Sequence, residues 1–118
     1  MIKLTVLMKR NPALTLEQFV AHHREVNAPL FAALPVVRRH VRRYVLSHSV
    51  ADALPGFPPS GFDGYSELWF DDMAGFQAVG QDEEYLRTIR PDEERFMDLA
   101  GCRFLVTTER VVADGPAA

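Results

Sequence analysis

The hydrophobic period of this chain switches between two and about 3.6 residues in a fixed order, and that order leaves few folds open. Residues 2–9, IKLTVLMK, set Ile2, Leu4, Val6 and Met8 against Lys3, Thr5 and Lys9, the alternation of a strand. In LTLEQF, Thr15 is a good N-cap and Gln18 completes a capping box, with Leu14 and Phe19 placed for a hydrophobic staple. A helix is expected from Leu16 to Leu34, ended by Pro35. Period two returns at Arg38–His48 and again at residues 63–70, DGYSELWF. Residues 72–99 read as a helix capped by Asp71 or Asp72 and interrupted near Gly80 and at Pro91. Gly101 stops it, and CRFLVTTERVV is a last strand. The order βαββαβ is that of a ferredoxin-like α+β fold, a four-stranded antiparallel sheet with helices on one face.

Between the second and third strands, SVADALPGFPPSGF (residues 49–62) carries three prolines and two glycines and must be a loop. Loops of this length are uncommon in compact domains. Phe57 and Phe62 give it apolar anchors, so it is expected to dock. No repeat or second domain is visible: residues 1–112 read as one domain and 113–118, ADGPAA, as a flexible tail.

Strand three sets Tyr65, Glu67 and Trp69 against Leu68 and Phe70, and strand four sets Phe104 and Val106 against Leu105. Two helices cover only one face of a four-stranded sheet, so the second apolar face needs a cover of its own. The sheet of an identical subunit, packed face to face, supplies one, and a homodimer is expected. A net charge of −3 argues against nucleic acid as a partner; VVRRHVRRY is basic but alternates like a strand. No apolar run is long enough to span a membrane. The start, MIKLTVLMKR, is interrupted by Lys3 and lacks the cleavage site of a signal peptide. Cys102 is the only cysteine, which excludes an internal disulfide and fits a reducing cytoplasm.

The first helix has one anomaly. Its apolar stripe runs Leu16, Phe19, Val20, position 23, position 27, Leu30 and Leu34, yet positions 23 and 27 are His23 and Asn27. A buried imidazole and amide are costly unless hydrogen-bonded, so both should meet partners or a cavity. Either they serve a ligand or they are satisfied core residues; both readings stand at this point. His22 is expected at the solvent-facing flank. His40 and His48 share the Tyr44 face of strand two, near its opposite ends. The histidines lack the spacing of a metal triad and there is no cysteine pair, so no metal or cofactor is expected. Cys102 reads as a small buried hydrophobe rather than a nucleophile. The acidic runs QDEEY and PDEERF suit helix N-termini and suggest no function.

KLTVLMKRNPALTLEQFVAHHREVNAPL, RRYVLSH, PPSGFDGYSELWFDD and DEERFMDLAGCRFLVTTERVV, in that order, resemble the EthD domain of the dimeric α/β-barrel superfamily over nearly the whole chain. The resemblance implies a ferredoxin-like monomer whose sheet pairs with a second subunit's, and a cavity between helices and sheet. Relatives act without metal or organic cofactor on small, often aromatic, acids, lactones and polyketides, as decarboxylases, dehydratases or isomerases. The founding member is an accessory protein of ether degradation, and neighbouring families include cofactor-free oxygenases and haem degraders. The family's first helix typically reads Trp, three residues, His, one residue, Pro. Here the positions are His23, Asn27 and Pro29, so the imidazole stands one turn nearer the N-terminus.

With such a cavity, His23 is the candidate acid or base, and Asn27 and Tyr44 the carbonyl binders. Glu67 is expected to face His23 and orient it, a nearby carboxylate raising the imidazole's pKa. The alternative for Glu67 is an ion pair with Arg42 or Arg43. Phe19, Trp69, Phe96 and His48 are candidate substrate contacts, the rings as walls for a flat ligand or simply as core. Three functions fit these residues: a cofactor-independent lyase or isomerase acting on a small aromatic or polyketide-like acid, a non-catalytic binding or accessory protein for a hydrophobic molecule, and a cofactor-free oxygenase or haem binder.

Overall fold

A computed structural model describes residues 1–50 and 53–116. The parts of the expected loop and tail that fall on residues 51–52 and 117–118 lie outside the described residues. In chain order the elements are β1 (Ile2–Met8), α1 (Leu16–His22), a π turn (His23–Asn27), α2 (Ala28–Ala32), α3 (Pro35–His40), β2 (Val41–His48) and β3 (Gly64–Phe70). After these come α4 (Met73–Gln81), a second π turn (Tyr85–Ile89), α5 (Arg90–Phe96), a 3₁₀ turn (Leu99–Gly101) and β4 (Arg103–Thr107). The sheet is antiparallel in the order β2-β3-β1-β4, so β1 and β3 are central. This is the expected ferredoxin-like arrangement.

Local chemistry sets the boundaries. The Thr15 hydroxyl accepts from the Gln18 backbone N–H at 3.1 Å while the Gln18 side chain accepts from the Thr15 N–H at 2.9 Å, the expected capping box. Asp72 caps α4 by accepting from the Gly75 N–H at 3.1 Å. Pro35 does more than end the first helix. Leu34 is extended and Pro35 opens α3, so residues 38–40 are helical rather than the start of β2. Arg38, Arg39 and His40 occupy the last turn of α3, where cations complement the helix dipole. His40 therefore leaves the Tyr44 face and packs beside Gly75 on α4.

Each of the two interrupted helical regions widens into a π turn, with the N–H of Ala28 reaching His23 O and that of Arg90 reaching Tyr85 O. Pro29 follows the first and Pro91 the second at the same offset. A proline ring clashes with the carbonyl four residues back in a regular helix, and the wider turn relieves that clash. α4 ends at Gln81, beside the expected interruption near Gly80, and the Asp82 side chain accepts from the Tyr85 N–H at 3.0 Å and starts the next segment.

Helices cover one face of the sheet. Leu4, Leu68 and Phe70 point into a cluster with Phe31, Leu34, Val37, Val79, Tyr85 and Ile89. Met8 joins Phe19, Phe96, Met97 and Cys102 in a second cluster. Burying each such large side chain contributes about 1.5–3 kcal/mol. Tyr65, Glu67, Trp69, Lys3, Thr5 and Leu105 lie on the uncovered face, as their register requires. Phe57 is 70% exposed, so the loop does not dock through it. The last strand stops at Thr107, short of the expected residue 112. Among the described residues no helix is long and apolar enough to cross a membrane.

Candidate functional site

Both π turns open onto one cavity of about 190 Å³ between helices and sheet. Its lining is mostly apolar, from Leu4, Val6, Phe31, Leu68 and Ile89 to Phe104, with His23, Asn27, Tyr44, Ser66, Tyr85, Arg90 and Glu93 as its polar groups. An apolar cavity near 150 Å³ holds one benzene ring, so this space takes a single substituted ring.

His23 is 2% exposed and sits between two partners. Its Nδ1 lies 2.9 Å from Nε2 of His48, and its Nε2 lies 3.4 Å from the Ser66 hydroxyl. Ser66 and Tyr44 both line the cavity, so the His48–His23–Ser66 contacts run from a half-buried imidazole to the cavity wall. The rings of Phe19 and Phe96 pack against His23 at 6.0 and 5.4 Å between centroids. Glycine at position 64, paired with His48, lets the strands close here: a Cβ would collide with the Ser47 carbonyl oxygen and lie 3.3 Å from the His48 ring.

Burial, then the neighbouring charges of His48 and His22, pull the His23 pKa down to about 4. The imidazole is therefore neutral near pH 7. This corrects the expectation of a carboxylate-raised histidine, because the partner is a second imidazole. Burial, then Arg24, also lowers the His48 pKa. Burial holds the Tyr44 phenol well above its ordinary range, so it stays a proton donor.

Asn27 donates through Nδ2 to Asp92 at 2.9 Å, and Nε2 of His22 donates to the other Asp92 oxygen at 2.8 Å. Asp92 is 5% exposed. His22 is thus half-buried and engaged rather than turned to solvent. The acidic run PDEERF is not merely a solvated first turn, since Asp92 is buried and Glu93 lines the cavity. Asp92 interrupts the stripe Tyr85, Ile89, Phe96 just as His23 and Asn27 interrupt theirs, and that pattern would have found it.

Two expected site residues lie elsewhere. Glu67 sits on the opposite face of the sheet, bonded at 2.8 Å to Lys3 rather than to Arg42 or Arg43, and cannot orient His23. Arg42 instead pairs with Asp71 at 2.7 Å. Trp69 shares the Glu67 face, donates to Glu109 and carries Arg43 and Lys3 at 4.8 and 5.4 Å over its ring. Strand alternation forbids either from reaching the cavity. Phe19, Phe96 and His48 stand behind His23 instead of lining the cavity themselves. Cys102 is buried and burial raises its thiol pKa, which suppresses nucleophilicity.

The model of the EthD domain matches residues 11–100. The chain belongs to the EthD domain family. It is 27% identical over 106 residues to Dehydratase CTB10 of Cercospora beticola, covering 80% of this chain and 79% of that protein. Among solved structures, an EthD family protein of Bacillus halodurans superposes with a TM-score of 0.69 at 20% identity, over 93% of this chain and 99% of that one. A dimeric protein with a ferredoxin-like fold from Bacteroides fragilis superposes with a TM-score of 0.62 at 13% identity, over 90% and 93% of the two chains. This EthD chain shares the fold of both.

Proposed function

We propose that this EthD protein is a cofactor-independent lyase of dehydratase type, acting on a small single-ring β-hydroxy carbonyl compound of aromatic or polyketide origin. The observation that carries the reading is neutral His23, held between His48 and Ser66 on the wall of an apolar cavity. The relationship to a dehydratase supports the reaction class.

Dehydration needs a base at the carbon beside the carbonyl and donors for the enolate oxygen. With its proton on Nδ1, His23 takes the substrate proton at Nε2 while Nδ1–H passes to His48. Ser66, at 3.4 Å, is a weak partner that a substrate can displace. The positive charge then rests on half-buried His48, and the interior never holds an imidazolium. The Tyr44 hydroxyl and the second amide hydrogen of Asn27 hold the enolate oxygen, with Asp92 fixing the amide plane. The proton leaves the substrate carbon for His23 and passes on to His48, so these steps use only the substrate and side chains of the chain itself. The working form in this reading is a cytoplasmic homodimer, its partner covering the open sheet face; dimeric relatives of the same fold support that.

The test is absorbance of the conjugated enone formed from a β-hydroxycyclohexanone, a ring sized to the cavity. Wild type should release enone, and His23→Ala should slow it by about a hundredfold or more. Saturable binding of the ring without any enone would instead identify a non-catalytic binding protein.

A further inference from the structure

The expected carboxylate of the cavity is present, but it comes from α5. Glu93 lines the cavity with a side chain 19% exposed. It lies one turn along α5 from Phe96, whose ring packs against His23. Its Oε1 is held twice, by the Tyr85 hydroxyl at 2.6 Å and by Arg90 Nε at 3.2 Å. Its Oε2 carries no bond to any described residue and is not sealed from solvent space. A carboxyl group on the wall of a ligand cavity, clamped by one oxygen with the other unbonded, is a positioned donor.

We infer that Glu93, through Oε2, gives the proton that lets the substrate hydroxyl leave as water. The inference rests on the dehydratase reading. The α C–H bond breaks and its proton goes to the His23–His48 pair. Its electrons form the new double bond, the C–O bond breaks, and the departing oxygen takes the Glu93 proton. The product is enone plus water, with no change of oxidation state. Glu93 is left as a carboxylate beside Arg90 and Tyr85, which stabilise it, and solvent at the half-exposed Arg90 rim returns the proton from His48. The groups around Glu93 divide by sign. Burial and Asp92 raise its pKa, whereas Tyr85 and Arg90 lower it, and the net direction is upward. Tyr44 on the sheet and Cys102 before β4 feel its charge in turn. A raised carboxyl pKa keeps the donor protonated, and so uncharged, nearer to neutral pH.

The experiment compares a β-hydroxycyclohexanone with its β-chloro analogue, because chloride leaves without a proton. E93Q should lose about a hundredfold on the hydroxy compound and little on the chloro compound, while His23→Ala loses both. Equal losses on both compounds, or none, with wild type active, overturn the donor role and leave the dehydratase reading standing. No turnover of either compound by wild type overturns both. A binding measurement needs no turnover and is independent of E93Q folding. A ring methylated twice at the α carbon cannot eliminate, and wild type should bind its hydroxy form about tenfold more tightly than its deoxy form. Equal affinity would mean that Glu93 does not meet the hydroxyl.

Discussion

Nδ1 of His23 lies 2.9 Å from Nε2 of His48, and this contact sets what the buried imidazole can do. Alone, a histidine with a pKa near 4 is a weak base. Coupled to a half-buried imidazole, it accepts on one nitrogen only while releasing from the other, so the charge appears where solvent reaches. Both tautomer pairings satisfy the geometry, and proton transfer through the pair exchanges one for the other.

Stability should report the His23 environment. Its folded pKa is about 4 against 6.5 for the unfolded chain, so between those values the unfolded state binds more protons. Stability is therefore fully present above about pH 6.5 and is lost as pH falls, by about 3 kcal/mol by pH 4. His48 adds a loss of the same sign. Urea unfolding of wild type and His23→Gln across this range should show a shallower slope for the variant; parallel slopes would contradict the buried neutral imidazole.

His48 should act on rate more than on binding. His48→Gln keeps a polar partner for His23 but cannot take its proton. The expected result is a fall in kcat of about tenfold to a hundredfold with KM little changed, and loss of an ionisation below neutral pH from the rate profile. A matching rise in KM with kcat intact would make His48 a packing residue.

Asn27 and Asp92 should prove coupled. Asn27→Leu leaves the buried Asp92 carboxylate with His22 as its remaining side-chain partner, a loss of about 2–3 kcal/mol. Adding Asp92→Leu should cost less than the sum of the two single changes, because neither polar group is then stranded. Additive losses in a urea double-mutant cycle would deny the contact.

The periodicities that gave βαββαβ also selected His23 and Asn27, because a polar residue in a helical stripe is visible without coordinates. The alternation of β3 already separated Glu67 from Leu68 and Phe70. Since the helices must cover the face bearing those two, Glu67 had to point away, and only the search for a carboxylate placed it in the cavity. The β2 boundary was harder: VVRRH alternates like a strand, and only the proline at position 35 hints that a helix restarts there. The His23–His48 contact joins a helix to a sheet edge, and no local pattern encodes such a pairing. Glu93 was hidden differently, in an acidic run whose helix-dipole role accounts for every residue at once.

The uncovered sheet face should mediate self-association. Tyr65 and Leu105 are 40% and 56% exposed there, flanking the Lys3–Glu67 pair and the Trp69 ring. A charge placed on this face must be desolvated if a second sheet packs on it, whereas in a monomer it simply stays in water. Leu105→Glu should therefore shift light-scattering mass from dimer to monomer at micromolar concentration. It should not disturb His23, since β4 presents Leu105 to the face opposite the cavity. A wild type that scatters as a monomer, or a variant that stays dimeric, would mean that this face is not the interface.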